Sequence, residues 1–164
     1  MDRRAGLQLG VLLLAVPVQY LVSQWMFSTE SQRSYAIRNT ASVEPRTYRP
    51  PEVKYRIGQV VKHKRWGYRG VIVGWDEFAK APEYWIKNNH PPGMEHWRTQ
   101  PNYAIIVDTR DRLAPQITYV PQENLEVVVN MQILHPSIEE YFEKFDGAQY
   151  LPRPWLKAVY PYDY

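Results

Sequence analysis

A chain of 164 residues, 45% of them hydrophobic and 23% charged, is long enough for one domain with tails and too apolar for wholesale disorder. It contains no cysteine, which excludes disulfide staples, a cysteine-ligated zinc site and a thiol nucleophile. The formal charge of +3 is mild, so an anionic partner must be drawn by a local patch rather than by the whole molecule.

The first five residues carry Arg3 and Arg4, and residues 6–27 are a mostly apolar run without Asp, Glu, Lys or Arg. As a helix that run is about 33 Å long, close to the hydrocarbon thickness of a bilayer. Trp25 stands near one end, where an indole anchors at the interface. The expectation is therefore a single-pass transmembrane helix and a membrane location. A cleaved secretory signal is the nearest rival, with Leu7 to Val16 as its core and Pro17 as its break. An organelle presequence and a buried core helix are further readings. Arg33 and Arg38 after the span balance Arg3 and Arg4 before it, so the positive-inside rule does not choose a side. Residues 28–52 mix Ser, Thr, Arg, Gln and Pro without apolar period and read as a flexible linker.

From Lys54 onward short β-rich runs alternate with turn signals. "YRIGQVVKHK" is the first run and "WGYRG" a turn; "VIVGW" follows, with Val71, Val73 and Trp75 expected on one face by period two. A long excursion, "DEFAKAPEYWIKNNHPPGMEHWRTQP", holds one candidate helical turn at "APEYWIK". "NYAIIVD", "QITYVP" and "NLEVV" complete five strands over residues 53–129, best buried as a small closed or nearly closed barrel that removes exposed edges. Residues 130–164 are expected to add a helix and a strap. "HPSIEEYFEKFDG" reads as the helix, with Ser137 as N-cap, Ile138, Tyr141, Phe142 and Phe145 as its stripe, Glu140 and Lys144 as an i,i+4 pair, and Gly147 as its stop. "YLPRPWLKAVYPYDY" reads as an extended aromatic strap across the barrel.

"YRIGQVVKHKRWGYRGVIVGWD", "QPNYAIIVDTRD" and "ITYVPQENLE" together resemble the YccV-like, or hemimethylated-DNA-binding, domain family. A likeness to the C-terminal region of an F-box relative continues into "ILHPSIEEYFEKFDGAQYLP" and "YPYDY". The resemblance implies an SH3-like five-stranded barrel, no catalytic activity and no cofactor. It also implies two kinds of partner: double-stranded DNA, and proteins of the protease or ubiquitin-ligase machinery.

Two sets of residues carry these partners in the sequence. Lys54, Arg56, Lys62, Lys64, Arg65 and Arg69 lie in a stretch without an acid, interleaved with His63, Trp66 and Tyr68, which suits phosphates and stacked bases. The same residues also suit a solvated hairpin, because alternation sends Lys62 and Lys64 to one face and His63 and Arg65 to the other. In the long excursion, Phe78, Tyr84, Trp85 and Trp97 suit a protein interface, or alternatively a cap on one end of the barrel. His90 and His96 with Glu95 lack the spacing of a metal site, and Asp108 and Asp111 read as turn residues. No phosphate loop, dinucleotide fingerprint or G-x-S-x-G is present.

Overall fold

The computed structural model describes Ser42 and residues 44–163. The expected basic flank at 1–5, the anchor at 6–27 and most of the linker at 28–52 lie outside the described residues. Among the described residues no helix is long and apolar enough to cross a membrane.

The protein is mainly β. The strands are β1 (Val60–His63), β2 (Arg69–Asp76), β3 (Asn102–Val107), β4 (Ile117–Pro121) and β5 (Leu125–Val127). They form one antiparallel sheet of order β4-β3-β2-β1-β5. All five coincide with the runs read from the sequence. A three-residue 3-10 turn, η2 (Gln122–Asn124), joins the two edge strands. On a flat sheet those edges would stand about 19 Å apart, whereas a 3-10 connection of this length spans only about 8 Å. The sheet is therefore rolled. No ladder joins β4 to β5 among the described residues, so the roll is open, where a closed barrel was one expectation.

The alternation expected in β2 breaks at a bulge between Ile72 and Gly74. Ile72 pairs with Ile105 and Trp75 with Tyr103, so Trp75 shares the face of Ile72 and not that of Val71. Val71 to Trp75 are nevertheless all buried, because later segments cover the second face.

Those segments depart from the expected helix and strap. A single helical turn, α2 (Ile138–Tyr141), gives way to β6 (Phe142–Phe145), which pairs with β7 (Tyr150–Pro152). Ser137 makes no side-chain cap, and Gly147 turns the β6–β7 hairpin at φ +103 instead of ending a helix. The Phe142 and Phe145 rings both pack on Tyr150, at 5.2 and 5.1 Å, and Tyr141 packs on Trp155 at 5.7 Å. A short helix is weakly held by its own bonds, so ring burial against β7 wins. The C-terminal helix lies later, at α3 (Pro154–Val159), inside the stretch expected to be extended. It opens with a proline at its first position, where no hydrogen bond is lost. Leu156 and Tyr160 enter the core with Val53, Ile57 and Leu125.

The last residues of the expected linker are held against this body. The Arg46 N–H donates to the Val159 carbonyl at 2.7 Å, its guanidinium pairs with Asp76 and lies 5.4 Å over the Trp75 ring. Arg49 reaches Asp163 at 3.3 Å.

Candidate functional site

The basic hairpin is built from β1, its turn and β2. Lys62 is exposed, between Arg69 and Glu126 on the neighbouring strands. His63 is buried, at 2% exposure. Its Nδ1 accepts the N–H groups of Arg65 and Trp66, both at 3.2 Å, and so fixes the turn. Burial, then the nearby Arg112 and Arg65, lower its pKa, which keeps the ring neutral and able to accept. Lys64 donates through Nζ to the Glu123 carbonyl at 2.9 Å. Tyr68 is buried and its hydroxyl meets Thr118 Oγ1 at 3.2 Å. Arg69 is engaged by Asp111 through two bonds of 2.7 Å, which raise its pKa and lower that of Asp111.

The nine hairpin candidates therefore divide. His63 and Tyr68, expected from the sequence to contact nucleic acid, are interior groups, and Arg69 is neutralised by Asp111. Lys54 and Arg56 are exposed and precede β1, with the Lys54 N–H donating to Gln122 Oε1 at 2.9 Å. Arg65 and Trp66 are exposed at the turn itself, Trp66 at 55%. The structure adds Arg112, whose guanidinium lies 5.1 Å over the Tyr68 ring. Sequence offered no signal for it, since the β3–β4 connection carries it to the hairpin.

The long excursion between β2 and β3 holds α1 (Glu83–Asn89) and the 3-10 turn η1 (Glu95–Thr99). Glu123 of η2 pins it. Its carboxylate accepts the indole N–H of Trp97, the Gln100 amide at 3.1 Å, and a bond with His96 Nε2 at 2.9 Å. Burial raises the pKa of Glu123, but these bonds outweigh it and the net shift is downward. Arg98 and Glu83 form a fork of two 2.8 Å bonds, and Asn102 Nδ2 donates to the Trp97 and Gln100 carbonyls at 2.9 Å each. Trp85 stands edge-on to Tyr119 at 5.9 Å.

Trp97, expected from the sequence to contact a partner, is thus only 5% exposed, and its ring holds the excursion to η2. Trp85 is half-buried for the same reason. Phe78 and Tyr84, at 53% and 66%, present their rings to solvent. Glu123 was not legible as the pin, because its partners come from another loop.

Asp108 and Asp111 are fixed anions. Burial of Asp108 opposes its ionisation, yet Arg110 and the N–H groups of Arg110 and Leu134 bring its pKa to about 2. Among the described residues no group of three or more His, Asp or Glu could hold a metal.

The family model described as hemimethylated DNA-binding protein, YccV like, matches residues 53–149. F-box only protein 21 of Mus musculus is 40% identical over 113 residues, which is 68% of this chain and 17% of that protein. The proteins of the same name from Pongo abelii and Homo sapiens are each 39% identical over the same length and the same shares. The chain thus spans 17% of the length of these relatives.

Proposed function

The chain belongs to the YccV-like, hemimethylated DNA-binding protein family, and from that premise we propose that it is a non-enzymatic protein-binding adaptor. The observation that carries this reading is the pair Phe78 and Tyr84: two exposed rings on an excursion that Glu123, Trp97, Arg98 and Asn102 hold rigid. Exposed rings on a preorganised support lose little entropy on docking and commonly dominate interface energy. Similarity to F-box only protein 21 supports partners in ubiquitin-ligase machinery. The apolar run at 6–27 supports a membrane anchor, with the linker presenting the binding domain at that surface.

Proximity labelling from the full chain tests the reading, since it reports neighbours and compartment together. Phe78→Ala with Tyr84→Ala is expected to remove ligase or protease components from the labelled set while the urea midpoint stays unchanged. An identical labelled set overturns it. Alkaline carbonate extraction tests the anchor: the chain is expected to remain in the membrane pellet.

A second reading is DNA binding. It is favoured by Lys54, Arg56, Lys62 and Arg65, which are exposed and in no ion pair among the described residues. Four phosphate contacts would give a log K against log salt slope of about −3.6. Lys62→Glu with Arg65→Glu should then abolish retention of a hemimethylated duplex at low salt.

A further inference from the structure

The corner where the β1–β2 turn meets the β3–β4 connection carries a surface distinct from the Phe78–Tyr84 excursion. The Trp66 ring lies on buried His63 at 4.7 Å with planes 13° apart, and the His63 ring is 5.0 Å from that of Tyr68. Arg112 covers Tyr68 from outside. Trp66, His63, Tyr68 and Arg112 form a connected series, so the exposed indole is held in place before anything binds. Arg65 adjoins Trp66 in the chain, and Leu113, next to Arg112, is fully exposed.

The charge here is unbalanced. Asp108 is engaged by Arg110 and Asp111 by Arg69, and neither Arg65 nor Arg112 has a carboxylate partner among the described residues. The Arg65 N–H donates to His63 Nδ1 at 3.2 Å, and Arg112 lies 5.1 Å over the Tyr68 ring, which is 5.0 Å from that of His63, so both arginines belong to one corner. Two unpaired guanidinium groups beside an immobilised indole and an exposed leucine complement a ligand with carboxylates and an apolar side chain.

We propose that this corner docks an acidic peptide segment of a partner protein, with Trp66 and Leu113 receiving its apolar side chain and Arg65 and Arg112 its carboxylates. A nucleic-acid strand fits less well. It calls for successive stacking rings along a cationic track, whereas this corner exposes one ring and Lys64 is engaged by a carbonyl. The site goes beyond the adaptor surface proposed above and stands or falls separately from it.

The test is fluorescence anisotropy on the full chain, using a short fluorescein-labelled peptide of Glu and Asp around one Phe. A control peptide replaces the acids by Gln and Asn; a single-stranded oligonucleotide and a hemimethylated duplex serve as competitors. The acidic peptide is expected to bind and the control not to bind. Trp66→Ala, and Arg65→Gln with Arg112→Gln, should each weaken binding about tenfold or more, while Phe78→Ala with Tyr84→Ala leaves it unchanged. The Arg112 guanidinium donates no hydrogen bond among those described, and its backbone N–H bond to the Asp108 carbonyl survives substitution, so the arginine variant keeps the test readable if Trp66→Ala loosens the turn. Equal binding by the arginine variant, no binding by the parent chain, or displacement of the peptide by either nucleic acid at lower concentration than by unlabelled peptide would each overturn the proposal. So would loss of the peptide in the Phe78 and Tyr84 variant.

Discussion

The indole N–H of Trp75 donates to the carboxylate of Asp163, 3.2 Å away in space and 88 residues along the chain. The same carboxylate accepts the Ile57 N–H at 2.9 Å and faces Arg49. One side chain thereby fastens the segment after α3, the entry to β1 and the end of the linker to the centre of the sheet. Burial nevertheless raises the Asp163 pKa despite these partners. Because its folded pKa lies above its unfolded one, its contribution is full at acid pH and is lost as pH rises through the folded value. Asp163→Ala strands two N–H groups and a guanidinium, at a cost of about 2–4 kcal/mol. Asp163→Asn keeps one acceptor and drops the buried charge, so it should cost less. Urea unfolding at neutral pH ranks the two; the reverse order would contradict the assignment.

Gly58 is a second point of closure. Its φ is +85, and a Cβ there would stand 2.0 Å from the Tyr150 carbonyl oxygen. The contact is two-sided, since the Tyr150 N–H donates to the Gly58 carbonyl at 2.8 Å. Backbone cannot yield as a side-chain end can. Gly58→Ala should therefore destabilise by about 3 kcal/mol or more, through strain and a lost β7 contact. A calorimetric scan showing an unchanged midpoint would count against this packing.

Acid should unfold the domain in two windows. Burial lowers the His135 pKa to about 4, offset in part by Asp108, and His63 and His90 shift the same way. Protonation of His135 thus favours the unfolded chain, and stability is lost as pH falls from about 6.5 towards about 4. Asp108 is held to about 2, so its share is full above about 4 and is lost below that. His135→Gln should flatten the upper window and Asp108→Asn the lower. Urea midpoints across pH provide the measurement; a variant that alters the wrong window refutes its assignment.

Trp97 and Glu123 make the last prediction. Glu123→Ala or Trp97→Phe removes the bond that holds the excursion to η2, a loss of about 1–3 kcal/mol for a buried donor or its charged partner. Hydrogen exchange should quicken in residues 77–100 while the β2 and β3 amides stay protected. Uniform quickening across the sheet would mean that the excursion is part of the global unfolding unit instead.

The sequence by itself determined the five strands and the family, and it offered two candidate surfaces. Those follow from short-range chemistry: β-branched runs in "VIVGW" and "NYAIIV", glycine-marked turns, and an acid-free basic stretch. Tertiary structure decided which rings and charges face water. Trp97 and Tyr84 look alike in sequence, yet an indole N–H within reach of Glu123 draws one inward while the other remains outside. Arg69 and Arg112 are the same residue type, but among the described residues only Arg69 meets Asp111. The stretch Ser137 to Phe145 has helical spacing, yet it is helical only over Ile138–Tyr141 and turns to strand over Phe142–Phe145, because Tyr150 supplies a surface that buries its rings better than a lone helix could. Local pattern reports what a segment prefers alone, whereas burial depends on partners that arrive from the far side of the chain.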